Sequence, residues 1–179
     1  MLDGFPLQRR LIPEWTHAAL VLRAARWLKN NQRCGVVLVE PQSFQAEIPD
    51  AIGWVRQSSF LIECKATRAD FLSDAKKTFR RRPERGMGEF RYYMTPVGLI
   101  DKSELPDRWG LIEVHGRRSR VIVRAEARPR EEALERQYHE TLLMYYALYG
   151  VQHYGKTTME RSGLDAEALG ESTRISTGA

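Results

Sequence analysis

The chain has 179 residues, of which 42% are hydrophobic and 28% are charged, and its formal net charge is +5. This composition is that of an ordinary globular domain, and no apolar run approaches the roughly 18 residues that a membrane helix needs. The N-terminus lacks a signal-peptide pattern, so we expect no membrane partner and an intracellular, cytoplasmic protein. The two cysteines, Cys34 and Cys64, have no paired Cys/His spacing, which argues against a zinc site and suits reduced thiols.

The first predicted elements are one helix and three strands. Apolar residues recur at helical spacing through residues 14–30, just after Pro13, and this spacing predicts a helix. Short apolar runs predict the strands that follow, at residues 34–40, 50–55 and 60–66.

A second helix is predicted downstream of the third strand. Thr67 and Asp70 form a capping-box pattern at its start, and Pro83 stops it. We expect Asp74, on this helix, to be solvated. Three more strands and a long helix complete the chain, at residues 90–96, 109–115, 120–127 and 130–150.

The element order predicts the fold class. A helix, three strands, a helix, a strand, two strands and a helix indicate an α/β (α+β) protein with a central mixed sheet flanked by helices. We expect one domain at residues 1–154 and a polar, flexible C-terminal tail at 155–179. The last helix carries an apolar row that faces one way: Leu134, Tyr138, Leu142, Tyr145 and Leu148. The patch "MYYALY" (residues 144–149), which contains part of this row, is interpreted as core or as a dimer surface.

Three charged residues stand in the hairpin predicted from the second and third strands. Side chains alternate across a strand, so Glu63 and Lys65 share one face. A two-residue turn places Asp50 opposite Glu63, and a four-residue turn places it opposite Lys65. In both registers the three charges fall on one face, near the open end of the hairpin.

Two carboxylates at cross-strand distance repel each other, and a divalent cation between them removes the conflict. Asp50, Glu63 and the backbone carbonyl of Cys64 would form an oxygen ligand set that Mg²⁺ or Mn²⁺ accepts. Lys65 beside the metal suits hydrolysis, because it can orient the attacking water or offset charge on a phosphate. The alternative is a structural ion pair between Glu63 and Lys65.

These residues resemble a known family. The sequence "PDA", followed thirteen residues after its aspartate by "ECK", resembles the PD-(D/E)XK nuclease superfamily, whose core has the order αβββαβ of the restriction-endonuclease-like fold. The wider run "IECKATRADFLSDAKK…FRYYMTPVGLI…LPDRWGLIEV" is similar to the MmcB-like, DNA-repair-associated branch. The resemblance covers roughly residues 14–127. It implies that Asp50 and Glu63 bind Mg²⁺ or Mn²⁺, with Lys65 as the catalytic lysine.

The family often adds a metal ligand from the first helix. Glu14, at the start of that helix, is one candidate, and Glu47, three residues before Asp50, is another. His17 is a third, because a neutral imidazole can bind a metal. No small-molecule cofactor is expected.

Basic residues follow the catalytic motif, and we expect them to contact DNA phosphates; they are Lys76, Arg80, Arg81, Arg82 and Arg85. A solvated basic surface is the alternative for such a patch. The sequence therefore predicts a Mg²⁺-dependent endonuclease acting on DNA in repair, restriction or mobile-element processing, as a homodimer if both strands are cut. A non-catalytic nucleic-acid-binding protein and an RNA-directed nuclease are the other hypotheses.

Overall fold

The computed structural model describes residues 15–41, 47–74 and 86–154. The helices of this part of the chain are α1 (His17–Asn30), α2 (Arg68–Asp74) and α3 (Ala133–Tyr154). The strands are β1 (Val36–Val39), β2 (Ala51–Val55), β3 (Ser58–Cys64), β4 (Phe90–Pro96), β5 (Gly110–His115) and β6 (Arg118–Val123). The predicted order of elements is confirmed.

The six strands form one mixed sheet in the order β1-β2-β3-β4-β5-β6. The pairs β1–β2, β2–β3 and β5–β6 are antiparallel, whereas β3–β4 and β4–β5 are parallel. The two parallel connections need crossovers, and the one from β3 to β4 contains α2. The prediction of a central mixed sheet flanked by helices is confirmed.

Each face of the sheet has its own hydrophobic core. On the first face α1 packs against the sheet through Leu20, Ala24 and Leu28, which meet strand residues such as Ile62 and Met94. On the second face Phe71 of α2 and Leu143 of α3 pack with residues that include Leu61, Tyr93 and Leu111. Alternation along β3 therefore sends Ile62 and Cys64 to the first face and Leu61 and Glu63 to the second.

Both helices beside the site have side-chain caps at their N-termini. The Thr16 hydroxyl accepts a hydrogen bond from the Ala19 amide at the start of α1. At the start of α2 the Asp70 amide donates to Thr67 Oγ1 at 3.2 Å, and the Thr67 amide donates to Asp70 Oδ2 at 3.2 Å. The capping box predicted for Thr67 and Asp70 is confirmed, and it fixes where α2 leaves the sheet.

The apolar row predicted on α3 faces outward. Leu134, Tyr138, Tyr145 and Leu148 are exposed, whereas the buried side of the helix carries Arg136, Glu140 and Leu143. Interpretation of this row as core is wrong, because the inward side of α3 is largely polar and bonds to polar groups of the sheet. The row remains a candidate surface.

Residues 155–179 lie outside the described residues, so the predicted domain boundary stays a prediction. Cys34 and Cys64 are buried free thiols. None of the helices in the described part of the chain is long and apolar enough to cross a membrane.

Candidate active site

The hairpin of β2 and β3 has the shorter of the two turns considered above. Val55 pairs with Ser58 and Ala51 pairs with Ile62, so the turn consists of Arg56 and Gln57 alone. One further step along this register brings Asp50 opposite Glu63. The two acids therefore stand at the open end of the hairpin.

The Asp50 carboxylate is held by the backbone of the neighbouring strand. Its Oδ2 accepts a hydrogen bond from the Cys64 amide at 2.6 Å. Its Oδ1 lies 3.5 Å from Nε2 of His17, in the first turn of α1. The carboxylate thus turns toward α1, whereas Glu63 turns to the second face of the sheet.

Glu40 joins Asp50 and His17. The Glu40 amide donates to the Asp50 carbonyl at 3.0 Å, which continues the β1–β2 ladder by one residue. Glu40 Oε1 then lies 3.4 Å from His17 Nε2. One ligand atom from each of the three side chains falls within 4.8 Å of the others, a spacing at which they could hold a metal ion.

The donor set of His17, Glu40 and Asp50 fits a divalent cation. Carboxylate oxygens are preferred ligands of Mg²⁺ and Mn²⁺, and a neutral imidazole is the commonest nitrogen ligand of protein-bound metals. The polar contact with Asp50 raises the pKa of His17 above its usual value; partial burial opposes this, and the charges of Asp50 and Glu40 add to it. The same carboxylates, Asp50 and Glu40, that raise the pKa of His17 would also attract a metal ion.

Lys65 occupies a buried position just beyond β3. Its amide donates to the Met94 carbonyl at 3.0 Å, which extends the parallel ladder with β4. Its Nζ donates to Glu63 Oε2 and to Asp74 Oδ1, both at 3.0 Å. The Tyr93 hydroxyl donates to the other oxygen of Asp74 at 2.7 Å. Two carboxylates and a tyrosine therefore fix the ammonium.

Burial by itself lowers the pKa of Lys65, but the negative charges of Glu63, Asp74 and Asp50 outweigh it and raise the pKa overall. Lys65 is therefore a cation at neutral pH. The charge of Lys65 in turn acts on His17. Lys65 and the His17–Glu40–Asp50 group are thus close enough to interact. We call these residues, together with the lysine's partners Glu63 and Asp74, the acidic end of the sheet.

The other predicted site residues have varied positions. Glu47 is buried, and its Oε2 accepts a hydrogen bond from the Met87 amide at 2.5 Å. Its carboxylate therefore binds the backbone of the segment before β4. The Cys64 side chain packs in the first core, where burial raises its pKa well above the usual value. Its amide binds Asp50, and the role predicted for its carbonyl stays a prediction.

Six predicted residues lie outside the described residues: Glu14, Lys76, Arg80, Arg81, Arg82 and Arg85. Their predicted roles in metal and DNA binding stay predictions. The prediction that Asp50, Glu63 and Lys65 converge on one face differs from the arrangement found, because Asp50 groups with His17 and Glu40, whereas Glu63 pairs with Lys65.

Two residues of the acidic end were missed by sequence reasoning. The expectation that Asp74 is solvated is wrong, because the side chain is fully buried against Lys65 and Tyr93. Its spacing of three residues from the buried Phe71 is a sequence signal that both share one helix face. Glu40 follows β1 directly, but its place opposite Asp50 depends on a strand register that the sequence does not specify.

Comparisons with known proteins bear on the fold. No protein-family model matches the sequence, and no curated protein matches it. A solved structure, described as the SPO1766 protein of unknown function from Silicibacter pomeroyi, is similar with a TM-score of 0.54 and 18% sequence identity. The similarity covers 78% of this chain and 94% of that one. At this identity the likeness supports the mixed α/β fold alone.

Proposed function

We propose that the protein is a metal-dependent nuclease of the PD-(D/E)XK type that hydrolyses phosphodiester bonds in DNA in the cytoplasm. The observation that carries the proposal is the acidic end of the sheet. There a buried ammonium, Lys65, is fixed beside Glu63, and Asp50 is fixed one strand away with His17 and Glu40. A lysine and two acids on neighbouring strands are the groups that the family motif requires.

Asp50, His17 and Glu40 would hold Mg²⁺ or Mn²⁺. The resemblance adds Glu63 as a ligand, and the hairpin pattern adds the Cys64 carbonyl. When bound, the ion would lower the pKa of a coordinated water and polarise a phosphoryl oxygen. The Cys64 amide keeps Asp50 in one orientation, because it donates to Oδ2 and leaves Oδ1 directed at His17.

Lys65 supplies the fixed positive charge. Its pKa is raised, so the ammonium is protonated throughout the physiological range and does not serve as a base. It would donate hydrogen bonds to the attacking water or to a phosphate oxygen as negative charge builds there. Asp74 and Tyr93 limit its movement, and this preorganisation means that little reorganisation is needed during reaction.

A non-catalytic nucleic-acid-binding protein is the second candidate. The observation that favours it is the enclosure of Lys65, which is buried and already bonded to two carboxylates. An ion cluster of this kind also occurs as a purely structural feature. The two candidates differ in what substitution of Lys65 does to cleavage and to DNA binding.

The test is a cleavage assay with Mg²⁺ or Mn²⁺ on duplex, nicked, branched and single-stranded DNA, with RNA as a further substrate. We expect wild-type protein to cut DNA, and Asp50→Asn and Lys65→Ala to lose about 10³-fold or more in rate. Lys65→Arg, which keeps the charge, is a milder variant. Asp107→Asn, at a highly exposed aspartate, is the matched control and should cut normally.

Two further measurements separate the candidates. Calorimetric titration should show Mn²⁺ binding to wild type and weaker binding to Asp50→Asn and His17→Gln. Lys65→Ala should still bind DNA, in a manner that weakens steeply with salt. Absence of cleavage across the whole panel, with DNA binding retained, would favour the non-catalytic candidate; cleavage of RNA alone would replace the DNA assignment.

A further inference from the structure

The outer face of α3 carries large apolar side chains in contact with solvent. Six of them are exposed by two-fifths or more: Leu134 82%, Tyr138 61%, Tyr145 56%, Leu148 70%, Tyr149 41% and Val151 46%. The tyrosines also contact one another, with ring centroids of Tyr145 and Tyr149 6.1 Å apart. Five of these side chains, all except Val151, lie on one side of α3 and form an apolar strip along the helix.

The strip is large for a monomer surface. At roughly 200 Å² for each large side chain, the exposed fractions of these five residues amount to about 600 Å². Monomers seldom expose contiguous apolar patches of more than a few hundred Å². In addition, residues 141–152, "TLLMYYALYGVQ", contain no charged residue at all. A helix surface of this composition is typical of a contact region.

The spacing of the strip indicates a helix as the contacting element. The outward positions alternate in steps of four and three residues, which is the 3.5-residue repeat of paired helices. They are Leu134, Tyr138, Thr141, Tyr145, Leu148 and Gln152. The buried residues Arg136, Glu140 and Leu143 lie on the opposite side of the same helix. One side of α3 therefore packs against the sheet. The outward positions on the other side form a candidate contact surface, which we call the seam.

We propose that this seam pairs with α3 of a second copy of the chain, so that the protein is a two-fold homodimer. The apolar side chains supply about 600 Å² per chain, which is most of the roughly 800 Å² that each partner contributes to a standard stable interface. A two-fold contact uses the same patch on both copies, so each apolar strip covers the other.

Charge favours self-pairing. Glu140 is buried and paired with Arg136, and the other acidic residues of this region, Glu131, Glu132 and Glu135, precede or begin the helix. The stretch 141–152 has no charges that would oppose those of a second copy. Residues 155–179 are mostly polar. Their large apolar side chains are few: Met159, Leu164, Leu169 and Ile175. A second α3 supplies a full set of apolar partners.

The test is the mass of the full-length protein in solution, by light scattering after size exclusion and by sedimentation equilibrium. We expect a dimer at micromolar concentration for wild type. Tyr145→Glu and Leu148→Glu should each be monomeric, because a carboxylate would be buried in the seam. Val97→Glu, at another exposed apolar residue, is the matched control and should stay dimeric. Circular dichroism should show all three variants folded.

A monomeric wild type at these concentrations would overturn the proposal. Amide hydrogen exchange and side-chain labelling at residues 138–149 would then identify the occupant. Protection of the tyrosines in the monomer would indicate that another segment of the same chain covers the strip, and full accessibility would indicate a different protein partner. Dimers of Tyr145→Glu and Leu148→Glu as stable as wild type would equally overturn it. The nuclease proposal does not enter any of these outcomes.

Discussion

One face of strand β3 carries a polar cluster at each end. Ser59, Leu61 and Glu63 are two residues apart from one another and so share this face, and Lys65 follows just beyond the strand. Ser59 bonds to α3 near the hairpin turn, whereas Glu63 and Lys65 belong to the acidic end of the sheet. Both clusters are buried, yet they differ in how their charges balance.

The cluster at Ser59 is balanced and internally bonded. Glu140 Oε1 accepts from the Ser59 hydroxyl at 2.8 Å and from the Gly88 amide at 2.9 Å, and Oε2 accepts from Trp54 Nε1 at 3.0 Å. Arg136 lies 3.4 Å from Glu140 Oε1 and neutralises its charge. One carboxylate and one guanidinium leave no net charge, so this cluster needs no ion and attaches α3 to the sheet.

The acidic end has the opposite balance. Four carboxylates, those of Glu40, Asp50, Glu63 and Asp74, meet one ammonium, that of Lys65, and the imidazole of His17. Among the side chains that the structure describes here, four negative charges against one positive charge leave three in excess when His17 is neutral. Buried or half-buried carboxylates tolerate such an excess when a cation binds. The comparison teaches that charge balance separates a structural cluster from a candidate site on the same strand.

Removal of the Glu140 carboxylate, which tests the cluster at Ser59, should have the largest effect on stability. Glu140→Ala would leave a buried guanidinium and three buried donors without their acceptor. We expect the free energy of unfolding to fall by about 3–5 kcal/mol in urea or guanidinium titrations. Glu140→Gln, which keeps one acceptor oxygen, should lose less. A change below about 1 kcal/mol for Glu140→Ala would contradict a structural role.

Asp74→Asn is the corresponding test of the acidic end. The amide keeps the size of the side chain but removes the charge that fixes Lys65. We expect the cleavage rate to fall about 10- to 100-fold, mainly in kcat, with folding retained. Tyr93→Phe removes only the hydrogen bond to Asp74 and should have a smaller effect in the same direction.

A double variant shows whether Asp74 acts through the lysine. In the Lys65→Ala background, Asp74→Asn should cause little further loss of rate, because the group that it positions is already gone. Additive losses would mean that Asp74 affects cleavage by another route, such as general destabilisation of α2.

The contrast between the two ends also explains what the sequence could predict. Alternation limited the partner of Asp50 to Glu63 or Lys65, because hairpin pairing depends on local spacing, and the two-residue turn of the structure selects Glu63. Apolar periodicity gave every strand and helix of the described residues in the right order. The side of α3 that faces the sheet was not predictable, because its inward residues, Arg136 and Glu140, are as polar as a solvated face and are buried only through partners distant in sequence.

The residues of the acidic end also divide into those that a local sequence pattern identifies and those that only tertiary contacts bring to the site. Glu63 and Lys65 share one local strand pattern and were identified from it. Asp74 and Glu40 enter through tertiary contacts, with Tyr93 of β4 and with the β1–β2 register. The spacing of Asp74 from Phe71 indicates which helix face it shares, but it does not indicate its contact with Tyr93. His17 was one of three candidate ligands, and only the position of α1 across the strand ends brings it to Asp50.

Loss of the α2 cap should have a moderate effect. Thr67→Ala removes the hydroxyl that accepts from the Asp70 amide, and we expect a loss of about 1 kcal/mol in the free energy of unfolding. Thr67→Ser keeps the hydroxyl and is the matched control. Because α2 carries Asp74, Thr67→Ala should also reduce cleavage slightly; a normal rate with the expected loss of stability would show that Asp74 tolerates fraying of the first turn.

The smallest expected effect is the pH dependence that His17 gives to metal-free protein. Its pKa is raised in the folded state above the usual 6.5, mainly by its contact with Asp50. The folded protein therefore binds this proton more tightly than the unfolded chain does. The stabilisation is fully present below pH 6.5 and is lost as the pH rises through the folded-state pKa.

Thermal unfolding in a chelator, from about pH 5 to about pH 8, checks this sign with wild type and His17→Gln. Wild type should lose its advantage over the variant as the pH rises, by a small amount because the imidazole is half exposed. His115, whose pair with Glu113 lies on β5, gives the control variant His115→Gln. An advantage that instead grows with pH would mean that Asp50 and Glu40 do not hold the imidazolium, and the charge excess at the acidic end would then be smaller than the geometry implies.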